Sequence, residues 1–419
     1  MRHFVTIIVL SLFAQTTFAD EIPVTSDSIV VNELRKDGVT FTNDNDVKLL
    51  MTGQEKFDDM FEAIRNARRS VHLEYFNFRN DSIAMLLFDI LAEKAKEGVE
   101  IRALYDAFGN SSNNRPLKSK HITALRKRGI QIYEFDPIKF PWLNHIFGRD
   151  HRKIVVIDGE IAYTGGMNVA DYYIKGTPVV GAWRDMHCRL TGSEVNTLQE
   201  IFLRAWHKVT GEIIVDKKYF NATKREYSDG GIALKGDMMC GIVNREPHLS
   251  PKAVRQFYLH AFDAAQDTIR LINPYFTLIP KIKKAIVRAV KRGVVVQIMV
   301  AEPSDIPLTP DCVFYNVNKL QKKGCQVWVY QPGFHHTKVI MVDGKFCTVG
   351  STNLDARSLK CDYEENVAII DKDVTKQLSD MFDNDKKDSF QLTEGVYKKW
   401  RTPWQRFRGW FAHLLSPFL

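Results

Sequence analysis

Apolar residues along the chain recur with two periods that alternate in a fixed order. In FDDMFEAIRNA, residues 57–67, they fall at Phe57, Met60, Phe61 and Ile64, the one-face spacing of an amphipathic helix. The following residues, through SVHL, read as a strand. VRQFYLHAFDAA (254–265) followed by TIRL repeats that pair. The correspondence continues in step: KAKEGVEIRAL matches RAVKRGVVVQIMV, and LRKRGIQIYEF matches LQKKGCQVWVY. Each is a basic helix end, a Gly (Gly98, Gly293, Gly129, Gly324) and an apolar strand, with Gly supplying the left-handed turn out of the helix.

Each copy then presents a short apolar run with polar residues at its head: HRKIVVID at 151–158 and HTKVIMVD at 336–343. The runs continue as DGEIAYTGGMN and DGKFCTVGSTN, which predicts β-hairpins turned at Asp-Gly and closed by a Gly-rich corner ending in Asn. Helix, strand, helix, strand, helix, strand, hairpin is an α/β layer order. The expectation is therefore two similar α/β domains, each a mixed β-sheet flanked by helices, related by a pseudo-twofold axis. Their extents are 20–215 and 246–390, joined by a connecting segment at 216–245 where clean periodicity is lost, and followed by a basic aromatic segment at 391–419.

At 419 residues and 45% hydrophobic, the chain has material for two cores, and its net charge of +8 suits an anionic partner. The start, MRHFVTIIVLSLFAQTTFADE, has a positive residue, an apolar run from Phe4 to Ala14 and small residues at Thr17 and Ala19. This reads as a signal peptide over 1–19, or an uncleaved anchor, and so as an exported protein. No later stretch approaches about 20 unbroken apolar residues. Six cysteines, Cys188, Cys240, Cys312, Cys325, Cys347 and Cys361, form no CxxC pair and no metal spacing, and Cys325 and Cys347 lie in apolar runs suited to buried thiols.

The candidate chemistry sits at the hairpin heads. Residues two apart on a strand face the same way, so His151 pairs with Lys153 and His336 with Lys338. Two imidazoles in one cleft suit a reaction in which one attacks while the other protonates the leaving group. Two lysines would stabilise charge on phosphoryl oxygens without a metal, and Asn168 and Asn353 would add neutral donors. Asp158 and Asp343 complete the motifs and count among the catalytic candidates, although their turn position and opposite strand parity equally suit a structural role. In WRDMHCRL and CDYEENVAI, Asp185 and Glu364 would accept a hydrogen bond from an imidazole and fix its tautomer. Phe76, Phe78 and Tyr275 would border the cleft.

The paired HxKxxxxD motifs with trailing GGMN and GSTN resemble those of the phospholipase D superfamily over nearly the whole chain past its first residues. Within it, YDAFGN, DHRKIVVIDGEIAYTGGMNVADYY, WRDMHCRLTG, NPYF, GSTNLDARS and the ending LLSPFL are most similar to bacterial cardiolipin synthases. That resemblance implies a phosphatidyltransferase without cofactor. One His would form a phosphatidyl-histidine, a second phosphatidylglycerol would replace water as acceptor, and glycerol would be released. It suggests His151 as nucleophile and His336 as acid/base, an order the nearly symmetric residues leave open. Hydrolysis of phospholipid to phosphatidic acid, and nucleic-acid cleavage by an exported nuclease, are the alternatives within the superfamily. The family commonly begins with membrane-spanning helices, where this chain has one short export-like segment.

The expected partners are an anionic phospholipid and a membrane surface, and not nucleic acid; oligomeric state is left open. The stretch YKKWRTPWQRFRGWFAHLLSPFL interleaves Lys398, Lys399, Arg401, Arg406 and Arg408 with Trp400, Trp404, Phe407, Trp410 and Phe411, a composition for the bilayer interface or for a terminal helix packed on the core. FDPIKFPWLNHIF, 135–147, leads into the first motif and reads as a bilayer-contacting or a core loop.

Overall fold

The computed structural model describes residues 25–145, 147–220, 236–306 and 309–415. The export-like segment at 1–19, residues 221–235 of the connecting segment and the final 416–419 lie outside the described residues.

The two repeats meet in one continuous 15-stranded sheet. From its centre outward, the first half runs Thr42–Leu50, His187–Thr191, Ile161–Gly165, Lys153–Ile157, Ser70–Tyr75, Glu100–Asp106, Ile130–Phe135. The second runs Met238–Arg245, Glu364–Ile370, Phe346–Gly350, Val339–Val342, Thr268–Ile272, Val295–Ala301, Gln326–Tyr330, with the short strand Ser389–Gln391 added at its edge. Strand for strand the order is the same, as a pseudo-twofold axis requires. The register agrees as well: Leu73 pairs with Val155, and Leu271 with Ile340. In each half three strands linked by helices are parallel, and the hairpin and its neighbours are antiparallel. The halves join where Thr42–Leu50 and Met238–Arg245 pair antiparallel, with a register irregularity between Thr42 and Asn45.

Both sheet faces are covered, which is why the first strand of each hairpin is apolar at every position past the lysine. Along Lys153–Ile157, Val155 and Ile157 face a core with Phe57, Met60 and Phe88 of the first half's helices. Ile154 and Val156 turn the other way, into a core shared with Val339, Met341 and Cys347 of the second half. Ile340 and Val342 repeat the outward pattern against Phe257, Phe262 and Ile282. The helices Ser82–Lys96 and Pro280–Lys291 are followed by Gly98 and Gly293 at φ 91° and 97°, the left-handed exits that the sequence pattern predicts.

Two boundaries differ from the sequence reading. The helix Ser26–Lys36, which falls in the first domain by chain position, packs Val30 and Leu34 into the second half's core. The end of the connecting segment is the strand Met238–Arg245, an integral part of the second half's sheet. The cysteines are free among the described residues, with Cys325 and Cys347 buried. No helix among the described residues is long and apolar enough to cross a membrane.

Candidate active site

Each HxK triplet stands at the entry to its hairpin, just outside or at the first residue of the strand, at the crossing where it lies against the other half. The crossing is hydrogen-bonded on both sides. His151 N donates to the carbonyl of Tyr363 at 3.0 Å, and His336 N donates to that of Arg184 at 2.7 Å. Gly333–His335 pairs in parallel with Ala182–Arg184, and Asp150 bridges to Tyr363. Each motif is thus held by the segment that precedes the other half's carboxylate.

The side chains pair across the same seam. His151 Nδ1 lies 3.0 Å from Oε1 of Glu364, and His336 Nδ1 lies 2.7 Å from Oδ2 of Asp185. Both carboxylates are buried. With Nδ1 engaged, each ring is left with Nε2 as the atom that can attack or exchange a proton. Sequence reasoning finds all four residues but not the swap: the histidine of each half is oriented by the carboxylate of the other. The Gly-rich corner makes room for this, since a Cβ on Gly166 would lie 2.2 Å from Oδ1 of Asp185.

Both lysines are buried beside their histidines. Lys153 Nζ donates to the His151 carbonyl, while Lys338 Nζ lies 2.9 and 3.1 Å from the two ring nitrogens of His336 and 2.5 Å from its carbonyl. Burial, assisted by Lys153 and opposed by Glu364, pushes the His151 imidazole down to about 4. Burial and then Lys338 lower His336 against the pull of Asp185. The His151 ring is therefore neutral and available as a nucleophile near pH 7. Burial also lowers both ammonium groups, Lys338 to about 8. For Glu364, burial acts to raise the carboxyl, but His151, Lys153 and Ser351 outweigh it and hold it at about 2; Asp185 is likewise lowered, with Lys338 and His336 overcoming burial.

Asn168 and Asn353 are buried at the corners. Asn168 Oδ1 accepts from Asn77 N at 3.4 Å, and Oδ1 of Asn353 has no hydrogen-bond partner among the described residues. Phe76 meets the His151 ring edge-on at 5.1 Å, and Tyr275 meets His336 at 5.8 Å, so these two border the site as expected. Phe78 does not: it is fully buried with Tyr75 and Phe88 in the first half's core.

Asp158 and Asp343 are not part of the constellation. They occupy the turns at the far end of each hairpin, about 3.3 Å per residue away along the strand. Both adopt positive φ, 56° and 52°. Asp158 accepts from the amides of Arg68, Arg69 and Ser70 at 2.7–2.9 Å, and Asp343 from those of Gln266, Asp267 and Thr268 at 2.8–2.9 Å. They fasten the turn to the loop that starts the neighbouring strand, a structural task that explains their recurrence in both motifs.

Two basic residues escape the motif reading. Lys56 is buried and donates to the carbonyls of Met167 and Asn168 at 3.2 and 3.0 Å, bracing the first corner. Its signal is a cation four residues before Met60, on the apolar stripe of its helix. Arg152, between His151 and Lys153, is buried with Glu74 at 2.7 Å and Asp150 at 3.1 Å, and donates to Asn244 of the second half at 3.2 Å. No local pattern announces partners so remote.

Among the described residues no group of three or more His, Cys, Asp or Glu is arranged to hold a metal ion. A family profile described as "Cardiolipin synthase, PLD-like domain" matches residues 60–177 and 258–386. The chain is 35% identical over 377 residues to the Bacillus subtilis (strain 168) protein named "Probable cardiolipin synthase YwiE", covering 90% of this chain and 72% of that protein. It is 33% identical over 392 residues to a cardiolipin synthase of Oceanobacillus iheyensis, covering 93% and 79% respectively. Among solved structures, the phosphatidylserine synthase of Haemophilus influenzae Rd KW20 superposes with a TM-score of 0.71 at 17% identity, over 93% of this chain and 100% of that one, a likeness of fold. With the duplicated sheet, the matched segments spanning both hairpins and the extent of the identity, the chain belongs to the cardiolipin synthase family of phospholipase D-like proteins.

Proposed function

We propose that this protein is a phosphatidyltransferase that joins two phosphatidylglycerol molecules into cardiolipin through a phosphohistidine intermediate. The observation that carries the reading is the pair of crossed His–carboxylate contacts, each with a buried lysine beside it. His151 Nε2 attacks the phosphorus of one phosphatidylglycerol. The bond to its glycerol oxygen breaks, and His336, entering the step as the imidazolium paired with Asp185, supplies the proton that lets glycerol leave. A hydroxyl of the second phosphatidylglycerol then gives its proton to His336 and attacks the phosphatidyl group, releasing His151 unchanged. Lys153 and Lys338, with Asn168 and Asn353, hold the non-bridging oxygens as charge shifts.

The same reading sets the enzyme on a membrane surface, with residues 1–19 as export signal or anchor. Support comes from the helix Pro403–Leu415, whose Trp404, Phe407, Trp410 and Phe411 are exposed, and from the loop before the first motif, where Phe140 is 80% and Trp142 55% exposed. The charge contribution is smaller than composition alone implies: Arg401 and Arg408 pair with Asp311, and Lys398 with Glu394 at 2.9 Å. Trp400 packs against Phe314 and Phe390.

The test is purified protein on phosphatidylglycerol vesicles, with glycerol and lipid products identified by mass spectrometry. The reading expects glycerol and a two-phosphate lipid, abolished in both His151→Ala and His336→Ala. Phosphatidic acid as the sole lipid product would make the enzyme a phospholipase D, and cleavage of plasmid with no lipid turnover would make it a nuclease.

A further inference from the structure

A phosphodiester cleft gains nothing from a carboxylate at its edge, because the carboxylate repels the group that the two lysines attract. Asp305 is nevertheless there. Its Oδ1 accepts a hydrogen bond of 2.5 Å from the hydroxyl of Tyr275, whose ring lies against the His336 imidazole at 5.8 Å between centroids. The carboxylate is exposed, and it lines a depression of about 350 Å³ bounded on its far side by Gln405 and Arg408 of the C-terminal helix. Arg408 is engaged there by Asp311, and Asp305 has no ion-pair partner within 4.0 Å among the described residues.

The first half has nothing equivalent among its described residues. Its parallel strand Glu100–Asp106 leads into a short helix capped by Asp106, which is buried and accepts from the amides of Gly109 and Asp150 at 2.9 Å each. There the carboxylate is spent on the backbone and on Arg149, whose Nε lies 3.6 Å away. In the second half the strand Val295–Ala301 runs instead into an open loop that presents Asp305 to solvent on the His336 side. The duplicated site is therefore asymmetric beside one of its two imidazoles, and the asymmetry consists of hydrogen-bond acceptor capacity.

We infer that Asp305, with Tyr275, is the specificity-determining subsite for the glycerol headgroup, accepting its free hydroxyls on the His336 side of the phosphorus. This rests on the phosphatidyl-transfer reading and deepens it. The second half-reaction is the first run backward with a substituted glycerol, so the leaving glycerol and the incoming phosphatidylglycerol headgroup pass through the same subsite. A polyol offers several O–H donors to one carboxylate, and water offers no such tether. Asp305 thereby favours transfer to lipid over hydrolysis, and its place beside His336 assigns that residue as acid/base and leaves His151 to carry the phosphatidyl group.

The experiment measures the ratio of cardiolipin to phosphatidic acid formed on phosphatidylglycerol vesicles by wild type, Asp305→Asn and Tyr275→Phe, with KM and kcat separated and thermal unfolding compared. Asp305→Asn should lower the ratio about tenfold and raise KM for phosphatidylglycerol, the effect of one hydrogen bond to a charged acceptor. Tyr275→Phe, which frees the carboxylate but unfixes it, should lower the ratio less. An unchanged ratio in Asp305→Asn, whether or not total turnover falls, overturns the assignment and leaves Asp305 a structural residue. Phosphatidylethanolamine outcompeting phosphatidylglycerol as substrate, with that preference lost in Asp305→Asn, overturns the polyol and points to an ammonium headgroup. Absence of both glycerol and cardiolipin from the wild type instead removes the transfer reading itself, and this inference with it.

Discussion

Replacing Glu364 by glutamine keeps the shape of the group that holds His151 and removes its charge. Glu364 is buried, its Oε1 is 3.0 Å from His151 Nδ1, and its carboxyl is held at about 2 against an ordinary 4.5. That displacement corresponds to about 3 kcal/mol of preferential interaction with the charged carboxylate. In the proposed mechanism the His151 imidazole becomes cationic when it takes the phosphatidyl group, so most of this interaction is drawn on in the transition state rather than in substrate binding. The substituted amide can also donate to Nδ1 and favour the wrong tautomer. Glu364→Gln should therefore lower kcat about 100-fold with little change in KM. Initial rates on phosphatidylglycerol vesicles give both constants. The charged form's contribution to stability is present above the ordinary carboxyl value of 4.5 and is lost only as pH falls toward 2, so unfolding compared at pH 7 exposes any fold defect in full. A folded Glu364→Gln variant with kcat within about threefold of wild type would refute the claim that the cross-half carboxylate activates His151.

Other consequences are testable with the same preparations. Asp158→Ala and Asp343→Ala each remove a carboxylate that accepts three amide hydrogen bonds, and should cost about 2–3 kcal/mol in denaturant unfolding while kcat survives wherever the protein is folded. Lys338 is charged below about 8 and loses its proton above it, so kcat/KM should fall on the alkaline side of that value. In Lys338→Arg any remaining activity should lack that limb, because guanidinium stays charged. The proposed mechanism takes its cationic field from the buried Lys153 and Lys338, so dialysis against EDTA should leave the transfer rate unchanged; loss of rate restored by one divalent metal would contradict that assignment.

How much of this was readable in the sequence depends on whether the determinant is local. Helix periods, Gly exits and the Asp-Gly hairpins depend on neighbours within a few residues, and the repeat makes the equivalence of strand order visible from the chain alone. The histidines, lysines and carboxylates were legible for the same reason, since they recur at matching places in both copies. The swap of partners was not, because Glu364 lies 213 residues from His151 and Asp185 lies 151 residues from His336. Nor was the helix Ser26–Lys36 assignable to the second core, since its amphipathic face carries no label for the half it covers. Asp158 shows the opposite failure: repetition marks a residue as constrained without saying whether chemistry or a turn constrains it.

The swap also bears on why the duplication is fused through one sheet. Each half alone would hold a histidine without its carboxylate and a carboxylate without its histidine, so neither could form an activated imidazole. The antiparallel junction of Thr42–Leu50 with Met238–Arg245 and the shared core of Ile154, Val156, Val339 and Met341 set the separation of the two motifs. A hydrogen bond of 2.7 Å weakens steeply as its geometry departs from the ideal, so that core is under positional demand well beyond what stability requires. It follows that substitutions in the shared core should depress turnover at temperatures where the protein is still folded, whereas substitutions in either outer core should lose activity only together with structure.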